Sequence, residues 1–166
     1  DPDSRAIVAG LDLDADIGAI ERLFVAGLCG LAYGLAEVVE AFRAHGVKSE
    51  LMVISGGAAR SALVRQIMTD TTGLTVVLPT TSEPVLLGAA MLGAVAGGAC
   101  GSVGEAMTAM SAIGSSCEPS GAAVMDFHRA KRQVYGLMRK LDHDGRAVMH
   151  KTANVTGSTG SMGSEL

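Results

Sequence analysis

Apolar residues recur at Ile17, Ile20, Phe24, Leu28, Leu31, Leu35, Val38 and Phe42, at spacings of three and four that keep them on one side of a helix. Asp16 stands where an N-cap is needed and Gly46 where a left-handed residue would end the helix. Gly27, Gly30 and Gly34 lower helix propensity within this segment, which predicts another backbone packed closely against it. The continuous apolar run at 51–55 (LMVIS) reads as a buried strand, with the glycines at 56 and 57 as the turn out of it. A helix follows from about Ala62 to Thr72 with Gly73 as its stop, and 74–79 (LTVVLP) reads as a second buried strand. Strand, helix and strand within about 28 residues make a βαβ unit, which predicts parallel pairing and a right-handed crossover.

A third helix is expected from Glu83 to about Gly97, carrying Pro84 in its first turn where a missing N–H costs little. Ser102, with Glu105 three residues on, forms a capping box that marks a fourth. The last helix is expected from about Gly121 to Leu141, with Val124, Phe127, Lys131, Val134, Leu137 or Met138, and Leu141 on one side. Residues 1–141 would then form one unit and 142–166 a small, polar, aperiodic tail, disordered from about 150. Residues 6–11 (AIVAGL) read as a short strand or as an entry loop. The predicted class is α/β, with few parallel strands against five helices, and so narrow a sheet leaves edges that something must cover.

With 48% apolar and 18% charged residues, the chain fits a folded domain with its own core. A formal charge of -4 gives no electrostatic reason to expect nucleic acid or an anionic membrane as a partner. Cys29, Cys100 and Cys117 lie far apart without a CxxC pair, so they read as reduced thiols of a cytoplasmic protein. The start, DPDSRAIVAGLDLD, has acids where a signal peptide has a basic stretch and an apolar run. The densest apolar run, at 85–96, is about a dozen residues where roughly 20 are needed, so no membrane span is predicted. The Asn154-Val155-Thr156 sequon reads as accidental.

Neither GxxxxGK[ST], GxGxxG after a strand, GxSxG nor HExxH occurs. His45, His128, His143 and His150 fall at helix ends or on polar surfaces without metal-ligand spacing. Asp12 with Asp14, and Asp142 with Asp144, read as solvated acidic runs. No catalytic or metal-binding residue is therefore predicted. What remains is Gly56-Gly57. A sharp turn there needs positive φ, or an open turn before a helix N-terminus offers bare N–H groups to a phosphate or nucleotide. On the residues alone the two readings stand about even.

Residues 55–70 (SGGAARSALVRQIMTD), followed by GLTVVLP and EPVLLGAAMLGAVAGG, resemble the C-terminal domain of the FGGY carbohydrate kinases. Those enzymes belong to the sugar kinase, actin and Hsp70 superfamily. The resemblance runs from DPDSR and GLDLD, through LAYG at 31–34, to EAMTAMS at 105–111, and so covers most of the chain. AYG, LLGAAMLGAVAGG and EAMTAM are most similar to the ribulose kinase-like, pentulose branch. The resemblance implies a partial ribonuclease H-like (actin-like ATPase) fold, ATP and Mg2+ as cofactors, and phosphoryl transfer to a sugar hydroxyl. It implies further that Gly56 and Gly57 bring bare main chain to the nucleotide, with Ala58 beside adenine or ribose. Ser61 takes the position where many relatives carry an adenine-contacting asparagine.

In the family, the catalytic aspartate, the sugar-binding residues and both phosphate loops precede the matched region. The implied partner is thus an N-terminal kinase domain that binds most of the sugar, and this chain alone would be inactive. Self-association through exposed edges is a further expectation. Ala58 stands where relatives usually have a third glycine, Cys29 replaces a Glu or Gln of the long helix, and Ala6 replaces a glycine after Arg5. Arg60 and Arg65 are expected on the surface, Glu83 in a structural role at a helix start, and Gly88, Ala89 and Ala90 in tight helix packing. The competing reading is a non-catalytic α/β interaction or structural module that has lost nucleotide binding.

Overall fold

A computed structural model describes residues 6–158, with side chains as far as Met149. DPDSR and residues 159–166 lie outside the described residues. The elements are α1 (Ile17–Ala44), β1 (Leu51–Val53), α2 (Gly57–Arg60), α3 (Ala62–Thr72), β2 (Thr75–Pro79), α4 (Pro84–Ala96), α5 (Val103–Met110), β3 (Ile113–Cys117) and α6 (Ala122–Ser158).

Local chemistry sets most of the ends. The Asp16 carboxylate accepts the Ala19 N–H at 2.7 Å and starts α1, and Gly46 leaves it at φ +83°. Gly73, at φ +69°, ends α3 and donates its N–H to the Thr69 carbonyl at 2.9 Å. Ser102 Oγ accepts the Glu105 N–H at 3.1 Å, while the Glu105 carboxylate reaches back to the Gly101 N–H at 2.7 Å. β1 and β2 pair in parallel, Leu51 opposite Thr75 and Val53 opposite Val77, as the βαβ unit requires.

β3 was not foreseen. It pairs antiparallel to β2 and gives a mixed sheet of order β1-β2-β3. Its sequence, IGSSC, is small and polar, and the exposed edge of β2 decides its conformation. A Cβ at Gly114 would stand 3.2 Å from Thr80 Cα, so glycine permits the close approach of the two strands. Residues 6–11 form no strand.

The core lies where α3 packs on the sheet and α1 packs on α3. Val76 and Thr69 are its largest fully buried side chains, joined by Ile67, Leu74, Val77, Ala32 and Ala36. Asp70, only 5% exposed, accepts the Ser120 N–H at 2.6 Å, the Ser120 hydroxyl at 3.1 Å and the Gln66 amide at 3.0 Å. It clasps the β3–α6 connection to α3.

On both long helices the apolar stripe faces outward. The stripe Ile17, Ile20, Phe24, Leu31, Val38 and Phe42 is exposed on α1, whereas Ala32, Tyr33, Ala36 and Val39 are buried. Alanines let α1 approach α3 closely, and the bulkier stripe is turned away. Of the three glycines only Gly34 meets a neighbour, the Tyr135 hydroxyl 3.3 Å from the position of a Cβ, so no second backbone packs there. By length and composition α1 is also long and apolar enough to cross a membrane, which counting uninterrupted apolar runs had missed.

α6 continues past Leu141 to Ser158, so the segment expected to become a polar tail at 142 is helical to that point. The polar residues make i,i+4 pairs, Lys140–Asp144 at 2.8 Å and Arg146–Asp142 at 2.9 Å, that belong to a helix. Val124, Phe127, Val134, Leu137 and Leu141 face outward. His128, expected at a polar surface, is buried with Nδ1 3.1 Å from the Tyr33 hydroxyl.

Candidate functional site

β1 stays bonded to β2 up to the turn, the Ile54 N–H donating to the Val77 carbonyl at 3.1 Å. Beyond Ser55, Gly56 adopts φ +76°, ψ -154°, a region open essentially to glycine alone. The backbone therefore demands glycine at 56. Gly57 opens α2 without positive φ, where alanine would serve a helix better. A Cβ added at either position would meet nothing within 4 Å. Neither residue is walled in by the protein's own packing, and only Gly56 has a conformational reason to be glycine.

Ala58 is exposed beside them, while Ala59 turns into the core. At Ser61 the helix breaks, with φ -89° and ψ 118°, and its hydroxyl accepts the Val64 N–H at 3.3 Å to start α3. Arg65 donates to the Ala59 carbonyl at 2.5 Å and ties the end of α2 down. It is half-buried rather than on the open surface, whereas Arg60 is exposed.

This geometry alters the electrostatics expected of the turn. α2 is a single turn of four residues, too short to build a useful macrodipole, and the serine of α3 satisfies one of that helix's own first N–H groups. The turn offers bare backbone and open volume, not a phosphate cradle. Next to Ala58 an apolar groove of about 200 Å³ opens between α1 and α3, lined by Leu28, Leu31, Val64, Ile67 and Met68.

A second hollow, of about 240 Å³, lies at the other end of α3 between Arg43, Asp70, Arg129 and Arg132. Its charges are engaged: Arg43 and Arg132 reach Glu40 at 3.0 and 3.7 Å. The groups staple α1 to α6.

Among the described residues no three His, Cys, Asp or Glu side chains gather to hold a metal ion. Glu83 is exposed before α4 and caps nothing with its side chain. Burial pushes the Cys29 thiol up, against a hydrogen bond with Tyr33, and an unionised thiol is a poor nucleophile. Burial also holds the Tyr33 phenol up at about 12. The described residues thus offer a surface for a ligand and no set of reacting groups.

Residues 1–97, from the start of the chain through α4, match the FGGY family of carbohydrate kinases, C-terminal domain. An FGGY carbohydrate kinase domain-containing protein of Danio rerio is 35% identical over 148 residues, 89% of this chain and 27% of the relative. Its counterpart in Homo sapiens is 37% identical over 146 residues, 88% of this chain and 26% of that protein. A D-ribulokinase of Saccharomyces cerevisiae is 28% identical over 97 residues, 58% of this chain and 14% of the enzyme. The chain spans about a quarter of the length of the first two. With the strand, the glycine turn and α3 all inside the matched segment, the chain belongs to the FGGY family of carbohydrate kinases, in that family's C-terminal domain.

Proposed function

We propose that this chain forms the adenosine-facing part of an ATP-dependent sugar kinase whose acceptor is a pentulose of the ribulose type. The observation that carries the reading is Gly57, a residue without a side chain where neither backbone conformation nor internal packing asks for one. A nucleoside lying on the peptide groups at 56 and 57 supplies the missing reason. Ala58 then borders the base or ribose, and Ser61 contributes its hydroxyl hydrogen while its oxygen caps α3.

Bound ATP supplies the phosphoryl group, with Mg2+ offsetting charge on its phosphates. The residues of this chain bind and orient the nucleoside. The aspartate base, the sugar pocket and the metal-associated groups belong to an N-terminal kinase domain, and that partner covers the exposed stripe of α1 and the free edge of β1. α1 is read as a domain helix because its Ala32–Val39 side packs on α3. The protein works in the cytoplasm.

The test is a melt of the complete polypeptide with and without Mg-ATP, beside an assay of ribulose phosphorylation. Ligand at 100 times its Kd stabilises the native state by about 2.7 kcal/mol, so a clear rise in Tm and turnover are expected, with no turnover from residues 1–166 alone. No shift at saturating Mg-ATP would overturn the reading. Commitment of the Ser61 oxygen to its own helix favours a second reading, a structural module that has lost the nucleotide, and that null melt is its signature.

A further inference from the structure

The groove beside Ala58 is lined by apolar side chains alone, Leu28 and Leu31 from α1 with Val64, Ile67 and Met68 from α3. Its volume of about 200 Å³ falls below the roughly 300–1,000 Å³ of a site that encloses a drug-sized ligand, and suits one flat ring system. The acceptors along it are already taken. The Ala58 carbonyl accepts the Ser61 N–H at 3.4 Å, the Ala59 carbonyl accepts Arg65 at 2.5 Å, and the Ser61 carbonyl accepts the Arg65 N–H at 3.1 Å. The Ser61 hydroxyl oxygen holds the Val64 N–H at 3.3 Å, and the carbonyls of residues 28, 31, 64, 67 and 68 lie within the ladders of α1 and α3. Of the side chains here only the Met68 thioether could accept a further hydrogen bond, and it does so weakly. The Ser61 hydroxyl keeps one hydrogen to donate.

Adenine carries an exocyclic amino group where guanine carries a carbonyl oxygen. To select adenine by hydrogen bonding, a site must offer that amino group a free acceptor. A site built in this way rejects the wrong partner strongly, whereas an apolar pocket does so weakly. We infer, resting on the reading of this turn as a nucleoside site, that the groove takes a purine by its face and that the kinase accepts ATP, GTP and ITP with little distinction. The apolar side chains meet a π-face that every purine has, and the polarizable sulfur of Met68 suits that contact. The polar edge of the base stays at the open side of the groove, in water, so neither purine buries an unpaired group. The Ser61 hydrogen meets ring nitrogen N7 or a ribose oxygen, and adenine and guanine nucleotides share both. Ser61 thus holds the nucleoside without selecting its base.

Calorimetric titration of the complete polypeptide with the magnesium complexes of ATP, GTP, ITP and base-free ribose triphosphate tests this. The three purine nucleotides should bind with Kd values within about threefold of one another, and ribose triphosphate about tenfold more weakly, because it has no base to stack. Ser61→Ala should weaken ATP and GTP by the same factor and leave their ratio within about threefold of wild type, since the lost hydrogen meets an atom that both possess. ATP binding with GTP weaker by about tenfold or more, the margin of a base read by hydrogen bonds, overturns the inference and leaves the nucleoside site standing. Ribose triphosphate binding as tightly as ATP also overturns it, because the groove would then hold no base. So does a Ser61→Ala ratio that moves by about tenfold, the mark of a hydroxyl that selects. Absence of binding by all four overturns the inference together with the reading on which it rests.

Discussion

Gly56 and Gly57 stand side by side for different reasons, and single substitutions separate them. Gly56→Ala must carry a Cβ at φ +76°, which costs about 1–3 kcal/mol of fold stability. Gly57→Ala fills open space in a helical position and should leave stability unchanged or raise it by about 0.4–1 kcal/mol. Urea titration of the two variants checks the contrast. Ser61→Ala removes the cap of α3 and should cost about 1 kcal/mol, whereas Ser61→Asn keeps a capping oxygen and should stay near wild type. Tyr33 adds a pH signature. Its phenol sits at about 12 in the fold and near 10 unfolded, so the folded state holds that proton more tightly. The stabilisation is complete below about pH 10 and lost as pH rises through about 12. Alkaline melts should show this decline in wild type and less of it in Tyr33→Phe. The caps at Asp16, Ser102 and Gly73 were legible because each bonds within its own few residues. The break at Ser61 was not, since a glycine turn running into a helical pattern gives no sign that the first turn stands alone.

At the level of elements, the positions of the helices and of the two parallel strands follow from periodicity, while the buried face does not. On α1 and α6 most of the apolar stripe points outward, and contact with the domain is made by Ala32, Tyr33, Ala36 and Val39 on one helix and by His128 and Tyr135 on the other. Periodicity reports that a helix has an apolar side, not which neighbour is present to cover it. β3 escaped for a related reason: only Ile113 among its residues has strand character, and pairing with β2 supplies the rest. The clasp at Asp70 belongs to this scale. Asp70→Ala leaves the Ser120 N–H and hydroxyl and one Gln66 hydrogen bond without their acceptor, and should cost about 3 kcal/mol. The loss should appear as a lower urea midpoint together with faster hydrogen exchange at Ser120.

For the whole molecule, family membership implies a ribonuclease H-like, actin-like ATPase fold, of which this chain supplies a three-stranded sheet with helices around it. The family was legible because the glycine turn and its flanking segments lie in sequence order. The substrate was not, because no sugar-reactive group occurs among the described residues. The account rests on bare backbone at Gly57 being kept for a nucleoside, and calorimetric titration of ATP into the complete polypeptide, wild type against Gly57→Ala, tests that most directly. The predicted result is affinity weaker by about tenfold, equal to about 1.4 kcal/mol, in a protein that melts no lower than wild type. Equal affinity in the two proteins would contradict it.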